Sequence, residues 1–445
     1  MVKIDIFYDY GESIGLGHWM RCQNLAQKIQ SLFGFIDFQI HFHRIDSCEH
    51  FDESSDLIII DSYIADLSCY ARLQEKAILL ICLDDLGGKV YPPTSLILAP
   101  TLGYPYKNKH SGKDYLIINE AFLQPKQTST KPNHILISLG GSNQNQLIDE
   151  ILESLQEKDF VFHIVSPYYS NPKHHIYKHL EPSKLSTLID ECEYVICAGG
   201  GHLGEILSRG KKIIAIRISS NQTNPINYCL NRSWIKAILD PQQSLKTQLL
   251  AHLESLQHHR PTRCRFGSKL DGFLIATIHS IIAQKISLHF KAKPFSLLSP
   301  SQRQIILSLR NQEGVRAMSL NHQIITAKQH QAFLRQLGSQ DLFFAFLDTH
   351  TIIGVGSLKI NRQDSCILGL YKNLDIKTKV GEEILKSLLL CATKILNIKH
   401  IDLEVLSINT KAIRLYQKYG FVVIHKERDQ LKMRFEIKRG EELIF

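Results

Sequence analysis

Short apolar runs alternate with stretches of helical periodicity from the first residue onward. VKIDIFYD reads as a strand, a glycine-bearing loop follows, and in GHWMRCQNLAQKI the residues Met20, Leu25, Ala26 and Ile29 recur at helical spacing. DLIIIDSY, AILLICLD, SLILAP and YLIINE are further apolar runs of strand length, a pattern predicting a parallel sheet covered by helices. QPKQTSTKPN, with two prolines and no apolar period, predicts a linker. The alternation resumes in HILISLGG, FVFHIVS, EYVICAGGG and KKIIAIRIS and runs to about Lys285. Beyond SLHFKAKPF the pattern changes. FFAFLDTHTIIGVGSLKI reads as two antiparallel strands with a turn at Asp348 to His350. The expected fold is α/β: two Rossmann-like lobes at 1–124 and 134–285, then an α+β domain at 295–437.

Composition narrows the chemistry. The 445 residues, 44% hydrophobic, suffice for two or three cores. Ten cysteines sit singly in apolar runs such as AILLICLDD, without a CxxC pair. Among the 21 histidines, His174-His175 and His258-His259 are adjacent pairs in polar surroundings, not ligands placed one helical turn apart, and no metal is expected. A net charge of +9 suits anionic ligands. Its spread along the chain, with no aromatic-interleaved basic stripe, favours phosphorylated small molecules over nucleic acid. MVKIDIFYDYGESIG lacks the features of a secretory signal, and no run is long enough to span a bilayer. The expected compartment is the cytoplasm, with no membrane partner; the oligomeric state is left open.

Glycine loops follow three of the expected strands. In the first, Gly15 and Gly17 let backbone amides approach an anion at a helix start, although a tight strand-to-helix turn needs glycine too. His18 suits general-base work, or merely caps that loop. Gly140-Gly141-Ser142-Asn143 forms the second loop. The third, Gly199-Gly200-Gly201 before His202, can cradle a diphosphate. Glu205 just inside the helix can bind ribose hydroxyls or simply complement the helix dipole. No GxxxxGK[ST] sequence is present.

Taken in order, GxGHxxRC, IIDSY, LDDL, LGGSN, AGGGHLGE and SNQ resemble the UDP-sugar hydrolases of the pseudaminic acid pathway, over roughly residues 1 to 285. That family is similar in fold to glycosyltransferases with two facing Rossmann halves. The resemblance implies inverting hydrolysis of UDP-2,4-diacetamido-2,4,6-trideoxy-β-L-altropyranose. It makes His18 the base, Tyr63 a residue of the sugar site that assists catalysis, and Asn221 a substrate ligand near the reacting centre. Gly141, Ser142, Gly199, Gly200, Gly201, Glu205 and Gln222 would hold UDP. His202 stands where the family often has Ser or Thr, and its role stays open.

IIGVGSL, CILGLYK, KVGEEILKSLLLCATKIL, HIDLEV and NTKAIRLYQKYGF follow the order of an acetyltransferase core. Amides at Val380-Gly381, with Lys377 and Lys379 nearby, suit a pyrophosphate. Asn409 to Phe421 resembles the NxxAxxxYxxxGF signature of the GNAT superfamily, whose co-substrate is acetyl-CoA. The resemblance makes Tyr416 the general acid and Asn409 a co-substrate contact. Only Gly381 remains of the usual pyrophosphate motif. GVGS, LGLYKN and HIDLEV further resemble the N-acetyltransferase of the same pathway. That implies a catalytic hydrogen-bond network of Ser357, Glu404 and Tyr416, with Arg310, Met318, His330 and Phe333 accommodating a UDP-linked 4-amino sugar. A glycosyltransferase fused to an acetyltransferase, or a sensor with a degenerate site, are the alternative functions.

Overall fold

In the computed structural model the described residues are 1–11, 17–126, 128–362, 364–376 and 379–437, the side chain of Arg362 excepted. They form three sheets. The first holds β1 (Val2–Tyr8), β2 (Phe38–Arg44), β3 (Ser55–Asp61), β4 (Ala77–Leu83) and β5 (Leu96–Leu98), in the order β2-β1-β3-β4-β5. β3 is buried along its whole length, which is why SDLIIID carries no alternation. The order switches direction between β1 and β3, and in open α/β sheets such a switch leaves a crevice at the carboxyl ends of the strands.

The second sheet holds β6 (Lys131–Ser138), β7 (Val161–Val165), β8 (His175–Tyr177), β9 (Cys192–Ala198), β10 (Lys212–Ile216) and β11 (Lys236–Ile238). Its order is β11-β10-β9-β6-β7-β8, with all neighbours parallel. Counted from β6, this is the doubly wound 3-2-1-4-5-6 arrangement, whose switch point lies between β6 and β9. Apolar clusters cover both of its faces. Leu136, Val195, Ile206 and Ala215 belong to one, and Ile135, Ile151, Ile196 and Leu249 to the other.

The third sheet holds β12 (Lys291–Pro294), β13 (Asp341–Asp348), β14 (Thr351–Arg362), β15 (Ser365–Lys372), β16 (His400–Leu406), β17 (Val422–Glu427) and β18 (Gln430–Glu436), in the order β12-β13-β14-β15-β16-β18-β17. Only β15 and β16 pair in parallel, and only over Ser365–Ile367 against His400–Asp402. Past Ile367 the two strands no longer pair, leaving backbone groups of both for another partner.

By contact the chain divides into two compact units. One comprises Met1–Ile4, Ile29–Gln39 and Gly272–Phe445, and the other Asp5–Lys28 and Ile40–Asp271. The helix Leu270–Lys285, read as the end of the second lobe, lies almost wholly within the former. Inside the latter, Arg209 is 1% exposed, paired with Asp190 and donating to the Phe122 carbonyl at 3.1 Å and to the Gln124 carbonyl. No helix of the described residues is long and apolar enough to cross a membrane.

Three details depart from the sequence reading. YLIINE forms no strand: Tyr115 ends a short 3-10 turn, and Leu116 and Ile118 instead pack on the second lobe's core, against Gly204. Apolar runs this short show burial without showing what provides it. β6 begins at Lys131, so the expected linker ends inside a strand. β2 was unanticipated, because FQIHFHR interleaves its apolar residues with polar ones at a sheet edge.

Candidate active sites

His18 lies in the first turn of the helix Gly17–Leu32, which follows β1, and Asp61 is the last residue of β3. Topology thus delivers both to the first sheet's switch point. His18 Nδ1 is 2.7 Å from Asp61 Oδ1, and the two side chains are 6% and 1% exposed. Arg21, one turn further along the helix, donates from Nε to Asp61 Oδ2 at 2.8 Å and from Nη1 to Asp85 Oδ1 at 2.8 Å. Tyr63 OH donates to Asp85 Oδ2 at 3.0 Å, and its ring meets the His18 ring edge-on at 4.5 Å between centroids. Asp9, fully buried, accepts from Ser62 Oγ at 2.6 Å and from the Tyr63 amide, fixing the loop that presents Tyr63. Asn221 lies near enough to the Tyr63 hydroxyl to lower its pKa, against the larger upward push of burial.

The charges follow from this geometry. Burial opposes ionisation of Asp61, but the Arg21 charge and the His18 hydrogen bond outweigh it and hold the carboxyl at about 2. Burial likewise disfavours imidazolium, yet bonding to Asp61 outweighs it and leaves the His18 pKa raised. An ionised Asp61 can only accept, so Nδ1 carries the proton and Nε2 presents its lone pair. Burial, then the Asp85 charge, push the Tyr63 phenol up and keep it a donor. Arg21, Asp61 and Asp85 were in the motifs read from the sequence but received no role. The usable signal was an acidic residue closing, or just following, a wholly apolar strand.

The two glycine loops of the second lobe follow β6 and β9, on either side of its switch point. Gly140 takes φ 96°, a left-handed turn that leads into the half-buried Gly141 and Ser142; Gln144 Nε2 donates to Ser142 Oγ at 3.2 Å. The three consecutive glycines divide by role. The Gly199 amide already donates to Gln222 Oε1 at 3.2 Å, and a Cβ there would sit 2.5 Å from Ile226. Gly199 and Gln222, both expected to hold UDP, therefore also brace the loop. A Cβ on Gly201 would meet nothing within 4 Å and one on Gly200 only Gln222 Nε2 at 3.9 Å, so both border open space at the start of the helix His202–Arg209. His202 Nδ1 lies 2.8 Å from Glu205 Oε2 and its Nε2 has no protein partner, which orients Glu205. Gly17 is at its helix start in open space, whereas Gly15 lies outside the described residues.

In the other unit, Ser357 lies on β14, Glu404 on β16 and Tyr416 on the helix Thr410–Lys418. Tyr416 is 7% exposed, packs on Phe421 and is pushed up to about 12 by burial. Ser357 Oγ donates to the Gly369 carbonyl at 3.3 Å, and no hydrogen bond joins Ser357, Glu404 and Tyr416 to one another. Among the described residues the expected network is thus not closed by direct bonds. Lys379 immediately precedes the helix Val380–Lys394, where Gly381 faces open space; Lys377 lies outside the described residues. Glu382 in that first turn is neutralised by Lys418 and accepts from Tyr419 OH at 2.8 Å. Asn409, expected as a co-substrate contact, caps its helix, accepting from the Ala412 amide at 3.3 Å. Arg310 Nη1 and His330 Nε2 are buried without protein partners. The His330 ring stacks on Phe333, and Met318 is 45% exposed.

No protein-family model matches the chain. It is 30% identical over 293 residues to the pseudaminic acid cytidylyltransferase and UDP-2,4-diacetamido-2,4,6-trideoxy-β-L-altropyranose hydrolase of Helicobacter pylori, covering 61% of this chain and 55% of that protein. It is 29% identical over 142 residues to acetyltransferase PseH of Campylobacter jejuni, covering 31% of this chain and 88% of that one. Both resemblances read from the motifs hold. The chain spans about half the length of the hydrolase relative. The spore coat polysaccharide biosynthesis protein SpsG of Bacillus subtilis is 24% identical over 268 residues, covering 50% of this chain and 79% of its own. Among solved structures, Campylobacter jejuni PseH in complex with acetyl coenzyme A is 23% identical, covers 33% of this chain and 98% of its own, and gives a TM-score of 0.28.

Proposed function

We propose that the chain is a bifunctional nucleotide-sugar enzyme: it acetylates the 4-amino group of UDP-4-amino-4,6-dideoxy-β-L-AltNAc from acetyl-CoA, then hydrolyses the product to UDP and the free sugar. Residues 1–124 and 134–285 form the hydrolase in this reading, and 295–437 the acetyltransferase. Both reactions run in the cytoplasm. The observation that carries the proposal is the pairing of His18 with an ionised Asp61 at a switch point, beside Tyr63 and Asn221.

Water bound at His18 Nε2 attacks the anomeric carbon as the bond from that carbon to the UDP oxygen breaks. The proton passes to His18, the bonding electrons leave with UDP, and the anomeric centre inverts. Imidazolium forms against Asp61, which is already ionised to receive it. Gly200, Gly201 and their helix start stabilise the departing phosphate charge, while Glu205 binds the ribose. In the second site, the open edges of β15 and β16 take the pantetheine arm by backbone hydrogen bonds. The sugar amine attacks the thioester carbonyl, the carbon–sulfur bond breaks, Tyr416, protonated at neutral pH, gives its proton to the thiolate, and the proton shed by the amine nitrogen passes through solvent to restore the phenol. The unpartnered Arg310 and His330 atoms fit the acceptor nucleotide.

The test is incubation of the purified chain with the amino sugar and acetyl-CoA, following CoA and UDP together. Release of both supports the proposal. Failure to release either, with active reference enzymes alongside, overturns it. UDP release that requires an added acceptor favours a glycosyltransferase instead.

A further inference from the structure

Adjacent histidines such as His174-His175 do not converge on one ion as residues one helical turn apart do, but a strand places residues two apart on one face. His41 and His43 stand in that relation on β2, and β1, its neighbour in the sheet, carries Asp5 between them. His43 Nε2 is 2.7 Å and His41 Nδ1 3.3 Å from the same oxygen, Asp5 Oδ1. All three candidate ligand atoms lie within 4.8 Å of one another. Nothing in the proposed hydrolysis uses them.

We propose that Asp5, His41 and His43 form a binding site for a divalent transition metal of the zinc type, separate from both reaction centres. Two neutral imidazoles and one carboxylate are a ligand set that Zn²⁺ accepts, with a fourth position left for water. Bonds of about 2.0–2.1 Å in a tetrahedron put ligand atoms about 3.3 Å apart. The His41 separation matches that spacing, and His43 has to withdraw by about half an ångström. The surroundings already orient the ligands. Ser55 Oγ donates to Asp5 Oδ2, leaving Oδ1 aimed at the histidines. The His43 ring is held between Phe7, stacked at 4.8 Å, and Phe51, edge-on at 5.4 Å. Asp5 is fully buried, whereas the His41 side chain is 38% exposed, which gives the ion a way in. The metal would clip the edge strand to the interior of the sheet.

The test uses the full chain, without an affinity tag, stripped with a chelator and titrated with Zn²⁺ alone against a chromophoric competitor. We expect one tight site per chain, weakened at least about 100-fold in His41→Gln/His43→Gln, with far-UV circular dichroism unchanged. If the double variant does not fold, His41→Gln alone is titrated with Co²⁺, whose visible bands should lose intensity relative to the wild-type chain. Absence of a stoichiometric site in the wild-type chain, or equal binding by the variants, overturns the proposal and leaves the histidines as hydrogen-bond donors to Asp5.

Discussion

Asp61→Asn removes the carboxylate on which both His18 and Arg21 rest. The drop of Asp61 from its ordinary 3.8 to about 2 corresponds to about 2 kcal/mol, at roughly 1.36 kcal/mol per unit. Because the folded value is depressed, this stabilisation is present above pH 3.8 and is lost as pH falls toward 2. Removing one partner of a buried ion pair costs about 3–5 kcal/mol. Arg21 keeps both contacts to Asp85, at 2.8 and 2.6 Å. That places the loss near the lower end, about 3 kcal/mol. The catalytic effect is separate. An amide that turns its NH2 toward Nδ1 forces the imidazole proton onto Nε2, the atom that must accept from water. We expect kcat for UDP release to fall by about 10²–10⁴ with little change in KM. The wild-type rate falls as acidification protonates His18 through its raised pKa, and without Asp61 that inflection moves to lower pH. The assay is continuous UDP detection across pH, with urea unfolding to establish the folded fraction. A folded variant whose kcat stays within about twofold of wild type, with the inflection unmoved, refutes the role given to Asp61.

Tyr416→Phe should lower CoA release by about 10²–10⁴ while UDP release from the acetylated sugar continues, measured by a thiol assay beside the UDP assay. Arg209→Met strands Asp190, which is 1% exposed, and should cost about 3–5 kcal/mol in urea unfolding. Gly199→Ala drives a Cβ to 2.5 Å from Ile226 and should destabilise by about 1–3 kcal/mol. Gly201→Ala, in open space, should leave the unfolding midpoint unchanged and weaken UDP binding in calorimetry.

The sequence by itself determined the layered α/β plan, because strands buried on both faces, such as β3, read as unbroken apolar runs. It also carried the two resemblances that imply the proposed reaction classes, since the glycine loops and NTKAIRLYQKYGF are local in the chain. Only tertiary structure decided how those pieces act. Asp61 becomes the partner of His18 because sheet order sets β1 beside β3, a neighbour relation that no local spacing encodes. Gly199 separates from Gly200 and Gly201 because one amide is taken by Gln222, twenty-three residues away. Leu116 and Ile118 looked like strand and became core packing for the same reason. Burial is written into residue type, whereas the partner that provides it is set by the path of the chain.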